Sequence, residues 1–201
     1  MIDKRLSNKK PVALIVGAGS EAGRGIVRGL ASAGLRLALN DLLPDRIEAL
    51  AAEVKAAGGE AVAFPADVTR KLGLQTMLQD VLGAWERIDV LVFIASTQPP
   101  DALLDMDEWD WHRTIDMNLT AAFLCMQSAG RVMREQGGGV IVNVLAGDES
   151  ASPAYAAAAG GLWALSEQAM VEFAQHGVRV HVVSDVGEVT AIIGNLDTRE
   201  R

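Results

Sequence analysis

The chain has 201 residues, half of them hydrophobic, which suits one domain (1–201) with a sizeable core. Its 18 basic and 26 acidic side chains give a net charge of −8, which argues against nucleic acid as the main partner because neutralising phosphates takes a basic surface. No apolar run approaches the ~20 residues that span a bilayer, the opening MIDKRLSNKKP lacks the apolar core of a signal peptide, and the single cysteine, Cys125, leaves no intrachain disulfide, so a cytoplasmic protein without membrane contact is expected.

In chain order, Val12 to Val16 reads as a buried strand after Pro11. GAGSEAGRG follows at once, then the helical pattern Ile26, Val27, Leu30 and Ala31. Strand, glycine loop and helix together form a dinucleotide-binding fingerprint: glycines Gly17, Gly19 and Gly23 let the backbone approach a pyrophosphate, and the helix N-terminus stabilises its charge. A second strand, 35–40, is closed by Asp41, about two dozen residues after Gly17, close to where a carboxylate accepts from a ribose 2′-hydroxyl. Such a carboxylate favours NAD over NADP, whose 2′-phosphate would meet a negative charge.

The spacing then predicts a helix over 46–57, a third strand over 60–64, the turn Asp67-Val68-Thr69, and a helix over 71–85 capped by Thr69. The almost wholly apolar 88–95 is strand four, covered on both faces. After Pro99-Pro100, residues 103–136 are largely helical, in one or two pieces. Strand five is 140–145, then a polar loop to Pro153, a helix over 155–175 and strand six over 178–183. The tail 185–201 carries little pattern. Strands alternating with helices through short connections require an α/β fold, a Rossmann-type doubly wound parallel sheet of about six strands with helices on both faces.

The order and spacing of these pieces resemble the short-chain dehydrogenase/reductase family over roughly residues 8–190. Asp67-Val68 looks like that family's adenine-side contact, WDWHRTIDMNLTAAFL at 109–124 is similar to the helix carrying its catalytic Asn, here Asn118, and YAAAAGGLWAL from Tyr155 is similar to its catalytic helix. The resemblance implies NAD(H) as cofactor, bound in part by Gly17, Gly19, Gly23, Asp41, Asp67, Val68 and Ala95, with no metal. It also implies a homodimer that pairs the helices near 103–135 and 154–175.

Against the family pattern, several positions differ. The motif Thr-Gly-x-x-x-Gly-x-Gly is represented by Val16, Gly17, Glu21 and Gly23, and the Asn-Asn-Ala-Gly after strand four by Phe93, Ile94, Ala95 and Ser96. The catalytic Ser position holds Ala146 and the catalytic Lys position Ala159; Tyr155 and Asn118 remain. The chain also stops where the family continues into a seventh strand, so strand six is expected at a sheet edge, with part of 186–196 packed on that edge or on the cleft.

A free phenol titrates near pH 10, so at pH 7 only about one in a thousand is phenolate. In the family a Lys ammonium supports that phenolate and grips the nicotinamide ribose, and a Ser hydroxyl polarises the substrate oxygen; two alanine methyls do neither. Glu21 adds a carboxylate where a pyrophosphate would lie, weakening cofactor binding. Ser150 and Ser152 read as turn formers rather than substitutes for the missing Ser. His112, His176 and His181 read as surface or structural residues, and Cys125 as core. The expectation is a non-catalytic or very weakly active protein with a binding or assembly role. The alternative is an NAD(H)-dependent oxidoreductase of a carbonyl or alcohol that works through Tyr155 and Asn118.

Overall fold

The computed structural model describes residues 10–148 and 152–194. Six strands, β1 (Val12–Val16), β2 (Arg36–Asn40), β3 (Glu60–Ala63), β4 (Val90–Ala95), β5 (Gly139–Leu145) and β6 (Val178–Val183), form one parallel sheet in the order β3-β2-β1-β4-β5-β6. This is the expected Rossmann-type sheet. The chain order reverses between β1 and β4, which opens a crevice beyond the C-terminal ends of those strands.

Alternation along the strands divides the interior into two cores. Val12, Leu14, Leu91 and Phe93 face one side, where α3 (Lys71–Trp85), α5 (Ala121–Gln136) and α6 (Pro153–Ala174) lie. Ala13, Ile15, Val90 and Val92 face the other, against α1 (Glu21–Ser32), α2 (Pro44–Ala56) and α7 (Val186–Gly194). Because β1 and β4 are buried on both faces, every residue in them is apolar, and the period-2 signal of a half-exposed strand is missing. Cys125 lies in the first core, where burial pushes its thiol up to about 12 and leaves it an unreactive packing group.

Several boundaries differ from expectation for local reasons. α2 starts at Pro44, whose fixed φ suits the first helical position. Thr69 does not cap α3; Arg70 holds that place, and Thr69 is drawn instead to Asp67, whose Oδ1 accepts from both its N–H (3.0 Å) and its hydroxyl. The helical stretch expected from 103 begins as α4 (Glu108–Ile115), because the Asp107 carboxylate caps it by accepting from Asp110 N–H at 2.7 Å. A single π-helical turn, Asp116–Thr120, joins α4 to α5.

The chain after β6 folds as α7 on the sheet face, against β5 and the edge strand β6, rather than over the cleft. Val189 and Ile193 are buried in the second core, and α7 runs along α1, with Val186 next to Gly25 and Thr190 next to Gly29. Small residues on α1 let the two helices approach. Residues 195–201 lie outside the described part.

Candidate functional site

The glycine loop after β1 is closed by a side chain whose role was not apparent from the sequence. Ser20 caps α1: its hydroxyl donates to Gly17 O at 2.7 Å and accepts from Gly23 N–H at 3.0 Å. Gly23 is required here because a Cβ would collide with the carbonyls of Gly17 and Ala18. Glu21 is the first residue of α1 and is exposed, so its carboxylate sits at the positive end of the helix.

Asp41, just past β2, turns back on this loop. Its Oδ2 accepts from Gly19 N–H at 3.1 Å and its Oδ1 from Leu43 N–H at 3.2 Å, leaving each oxygen a second lone pair. Asn40 beside it is the last residue of β2. Its buried amide donates to Phe64 O (2.9 Å) and Ala66 O (3.1 Å), and so holds the chain between β3 and Asp67 against the end of β2.

These groups surround a cavity of about 360 Å³ beyond the ends of β1, β2 and β4. Gly17, Asp41, Asp67 and Val68 line it; Gly23 and Ala95 do not, and Gly19 reaches it only through Asp41. Arg46 from α2 and Arg113 from α4 also line it and carry no motif that would have singled them out. Arg113 packs over the Trp109 ring at 5.2 Å. None of the lining residues comes from β5, α6, β6 or α7.

On the β4–β5 side the retained pair is engaged with backbone. Asn118 lies in the π-helical turn, buried; its Oδ1 accepts from Thr97 N–H (3.0 Å), and its amide donates to Thr97 O (2.6 Å) and Thr114 O (3.0 Å). The extra residue of the π turn turns the Asn118 amide toward the segment after β4. Tyr155 is 0% exposed, and its hydroxyl donates to Ala95 O (3.0 Å) and accepts from Gly147 N–H (2.8 Å). Gly147 has no side chain because a Cβ there would run into the Tyr155 ring. Ala159, one turn along α6, is 1% exposed, and Ala146 N–H donates to the same Ala95 O at 2.9 Å. Ser152 caps α6 by accepting from Tyr155 N–H, the turn-forming role expected of it; Ser150 lies outside the described residues. Among the described residues no group of His, Cys, Asp and Glu side chains is placed to hold a metal ion, and no helix is long and apolar enough to cross a membrane.

A doubly wound sheet with a glycine turn after β1 and an Asn-bearing π turn before α5 matches the short chain dehydrogenase family over residues 11–200. The chain belongs to the short-chain dehydrogenase family. Among relatives, a 3-oxoacyl-[acyl-carrier-protein] reductase of Synechocystis is 32% identical over 92% of this chain and 77% of its own length. A D-threitol dehydrogenase of Mycolicibacterium smegmatis is 33% identical over 94% of this chain and 74% of its own. The solved structure of a short-chain type dehydrogenase/reductase from Mycobacterium marinum superposes with a TM-score of 0.82 at 31% identity, covering 87% of this chain and 71% of that one. A metagenomic short-chain oxidoreductase solved in complex with NADP superposes at 0.84, with 28% identity and coverage of 94% and 92%. Family relatives named as reductases and dehydrogenases, and an NADP-bound neighbour, accord with the NAD(P) chemistry of short-chain dehydrogenases.

Proposed function

We propose that this chain is a short-chain dehydrogenase/reductase-like protein with an impaired catalytic set, non-catalytic or very weakly active, serving in binding or assembly. The observation that carries this reading is the Tyr155 hydroxyl. It is wholly buried and held by Ala95 O and Gly147 N–H, while the neighbouring Ala146 and Ala159 supply only methyl groups. Positioned proton-transfer groups contribute ~10²–10⁴-fold in rate. A phenol turned into the backbone contributes none of it. Glu21 opposes any pyrophosphate at the start of α1 by placing a negative charge at the helix end that would otherwise attract it. Where a dinucleotide binds, Asp41 favours NAD(H).

Assembly takes place, in this reading, as a homodimer through α4–α5 and α6. Trp163 on α6 is 47% exposed and Val171 76% exposed, and Phe123 on α5 is also open. A groove of about 390 Å³ runs between α5 and α6 past Phe123, Leu165 and Phe173. Apolar surface of that kind on paired helices is what a self-complementary interface buries. Light scattering coupled to size exclusion is expected to give twice the chain mass; a monomer contradicts the dimer.

A second reading rests on the reductase and dehydrogenase names of the relatives together with the retained Asn118 and Tyr155: an NAD(H)-dependent oxidoreductase with an atypical site. The deciding experiment mixes metabolite-free protein with NADH and a panel of carbonyl compounds. The impaired reading expects no NADH oxidation. Oxidation that disappears in Tyr155→Phe would establish the oxidoreductase instead.

A further inference from the structure

Among the described residues β6 stands at one end of the sheet, paired with β5 alone. Its side chains alternate between the two cores. Val178, Val180 and Val182 pack in the first, and Val183 packs in the second with Val189 and Ile193 of α7. Alternation therefore sets Arg179 and His181 on the Val183 side, the side on which α7 lies. The register agrees, since His181 pairs with Val142 of β5, which belongs to the second core. The His181 ring is only partly open to solvent there, and its Nε2 is buried without a hydrogen-bond partner. An orphaned buried nitrogen costs about 1–3 kcal/mol. A proton on the ring would add a charge to an apolar layer, which costs more.

The groups around the ring hold it neutral. Burial does so first, and the positive charge of Arg179 on the same strand adds to it. From β5 the neighbours on this face, Val140, Val142 and Val144, are apolar. Glu188 is the titratable side chain of α7 and is exposed. Asp185, before α7, is exposed too, and its Oδ1 accepts from Gly187 N–H at 2.8 Å. Within this layer α7 is the element least able to stand alone. Its nine residues are too few for a stable isolated helix, so it persists by docking. Val189 and Ile193 enter the core, and Val186 and Thr190 meet Gly25 and Gly29 of α1. By contrast, β6 is held to β5 along its whole length.

We propose that His181 is an acid-sensitive latch on α7: a proton on its ring favours an open state in which α7 has lifted from the sheet and the ring is hydrated, while the six strands stay paired. Proton uptake and undocking go together because the open state holds the charged ring in water and the closed state does not. Lifting α7 uncovers its apolar face and the Gly25–Gly29 face of α1. The cavity beyond β1, β2 and β4 takes no wall from α7, so the latch is independent of whether the cleft is catalytic.

Hydrogen–deuterium exchange on the full chain, read by mass spectrometry of the peptide covering α7, tests it. Rates at pH 7.5 and 5.5 are compared after correction for the intrinsic pH dependence of exchange. Protection over 186–194 is expected to fall by up to about tenfold at pH 5.5, the limit for one proton on a group with an ordinary value near 6.5, with β1 and β4 unchanged. His181→Gln and His181→Leu, which cannot take up the proton, are expected to lose this pH dependence. Each variant is judged by its own ratio between the two pH values, so one that loosens α7 at both still reports. An unchanged ratio in the native chain overturns the inference, as does a native-sized fall that persists in either His181 variant. A fall of equal size over β1 and β4 overturns it too, because acid then loosens the whole fold.

Discussion

The two sides of the crevice are made from similar strands and end in opposite states. On the β1–β3 side, Asn40 pins the chain after β3 to the end of β2 and Asp41 pins the glycine loop, and a cavity remains between them. On the β4–β5 side, a tyrosine from α6 and a glutamine after β4 hold loops together. Tyr155 and Gln98 each bridge the segments after β4 and β5. On the first side the bonds leave a cavity between the loops; on the second, the Tyr155 and Gln98 bonds join the ends of the neighbouring strands β4 and β5 within one half.

Substitutions can break this contrast. The largest effect is expected at Gly147, where even Gly147→Ala must displace the Tyr155 ring. Forcing carbon into a packed site costs about 1–3 kcal/mol, and displacing the ring also gives up its two backbone hydrogen bonds, so a loss of about 3 kcal/mol should appear in urea unfolding. An unchanged midpoint would mean that Tyr155 does not close this side. Asn118→Ala comes next, at about 2 kcal/mol, since it strips the half-buried Thr97 N–H of its acceptor and two carbonyls of their donor. The same denaturation measurement reads it. Tyr155→Phe keeps the ring and loses only the hydroxyl; a cost of about 1–2 kcal/mol is expected. A cost near zero would return the hydroxyl to the list of groups free for chemistry.

The smallest effect concerns pH and β6. Burial, with Arg179 adding to it, holds His181 below the ordinary imidazole value. A His whose folded pKa is depressed binds fewer protons folded than unfolded between the two values. Its contribution to stability is therefore complete above about pH 6.5, the ordinary value, and is lost as the pH falls from there toward the folded value. Thermal melts at pH 7.5 and 5.5 should show a lower Tm at the lower pH, and His181→Gln should narrow the gap. An equal gap in the variant would move the pH sensitivity to other groups.

Much of the fold was legible because its signals are local. The apolar runs of β1 and β4, the glycine turn, and the stop after each strand are set by residues within one turn of each other. The boundaries that slipped, at Thr69 and before Glu108, did so where an Asp side chain competed for the same backbone groups. Of the residues that line the cavity, Gly17 and Asp41 were singled out by motif spacing, and Asp67 and Val68 by the family resemblance. Ser20, Asn40, Gln98 and Arg46 were not, because a serine, an amide or an arginine in a polar stretch has no spacing that marks it.

By itself the sequence determined the six-strand parallel sheet, the family, and the identity of the groups at each position, including the methyl side chains of Ala146 and Ala159. Only the tertiary structure decided what those groups face. Tyr155 meets Ala95 across 60 positions of chain, and Asp148 meets Gln98 across 50. The path of α7 along α1 was settled in the same way, by a fit between Thr190 and Gly29 that neither segment shows alone. A hydrogen bond acts over about 3 Å, so whether a hydroxyl points into a crevice or into a strand depends on which distant backbone the packing brings beside it.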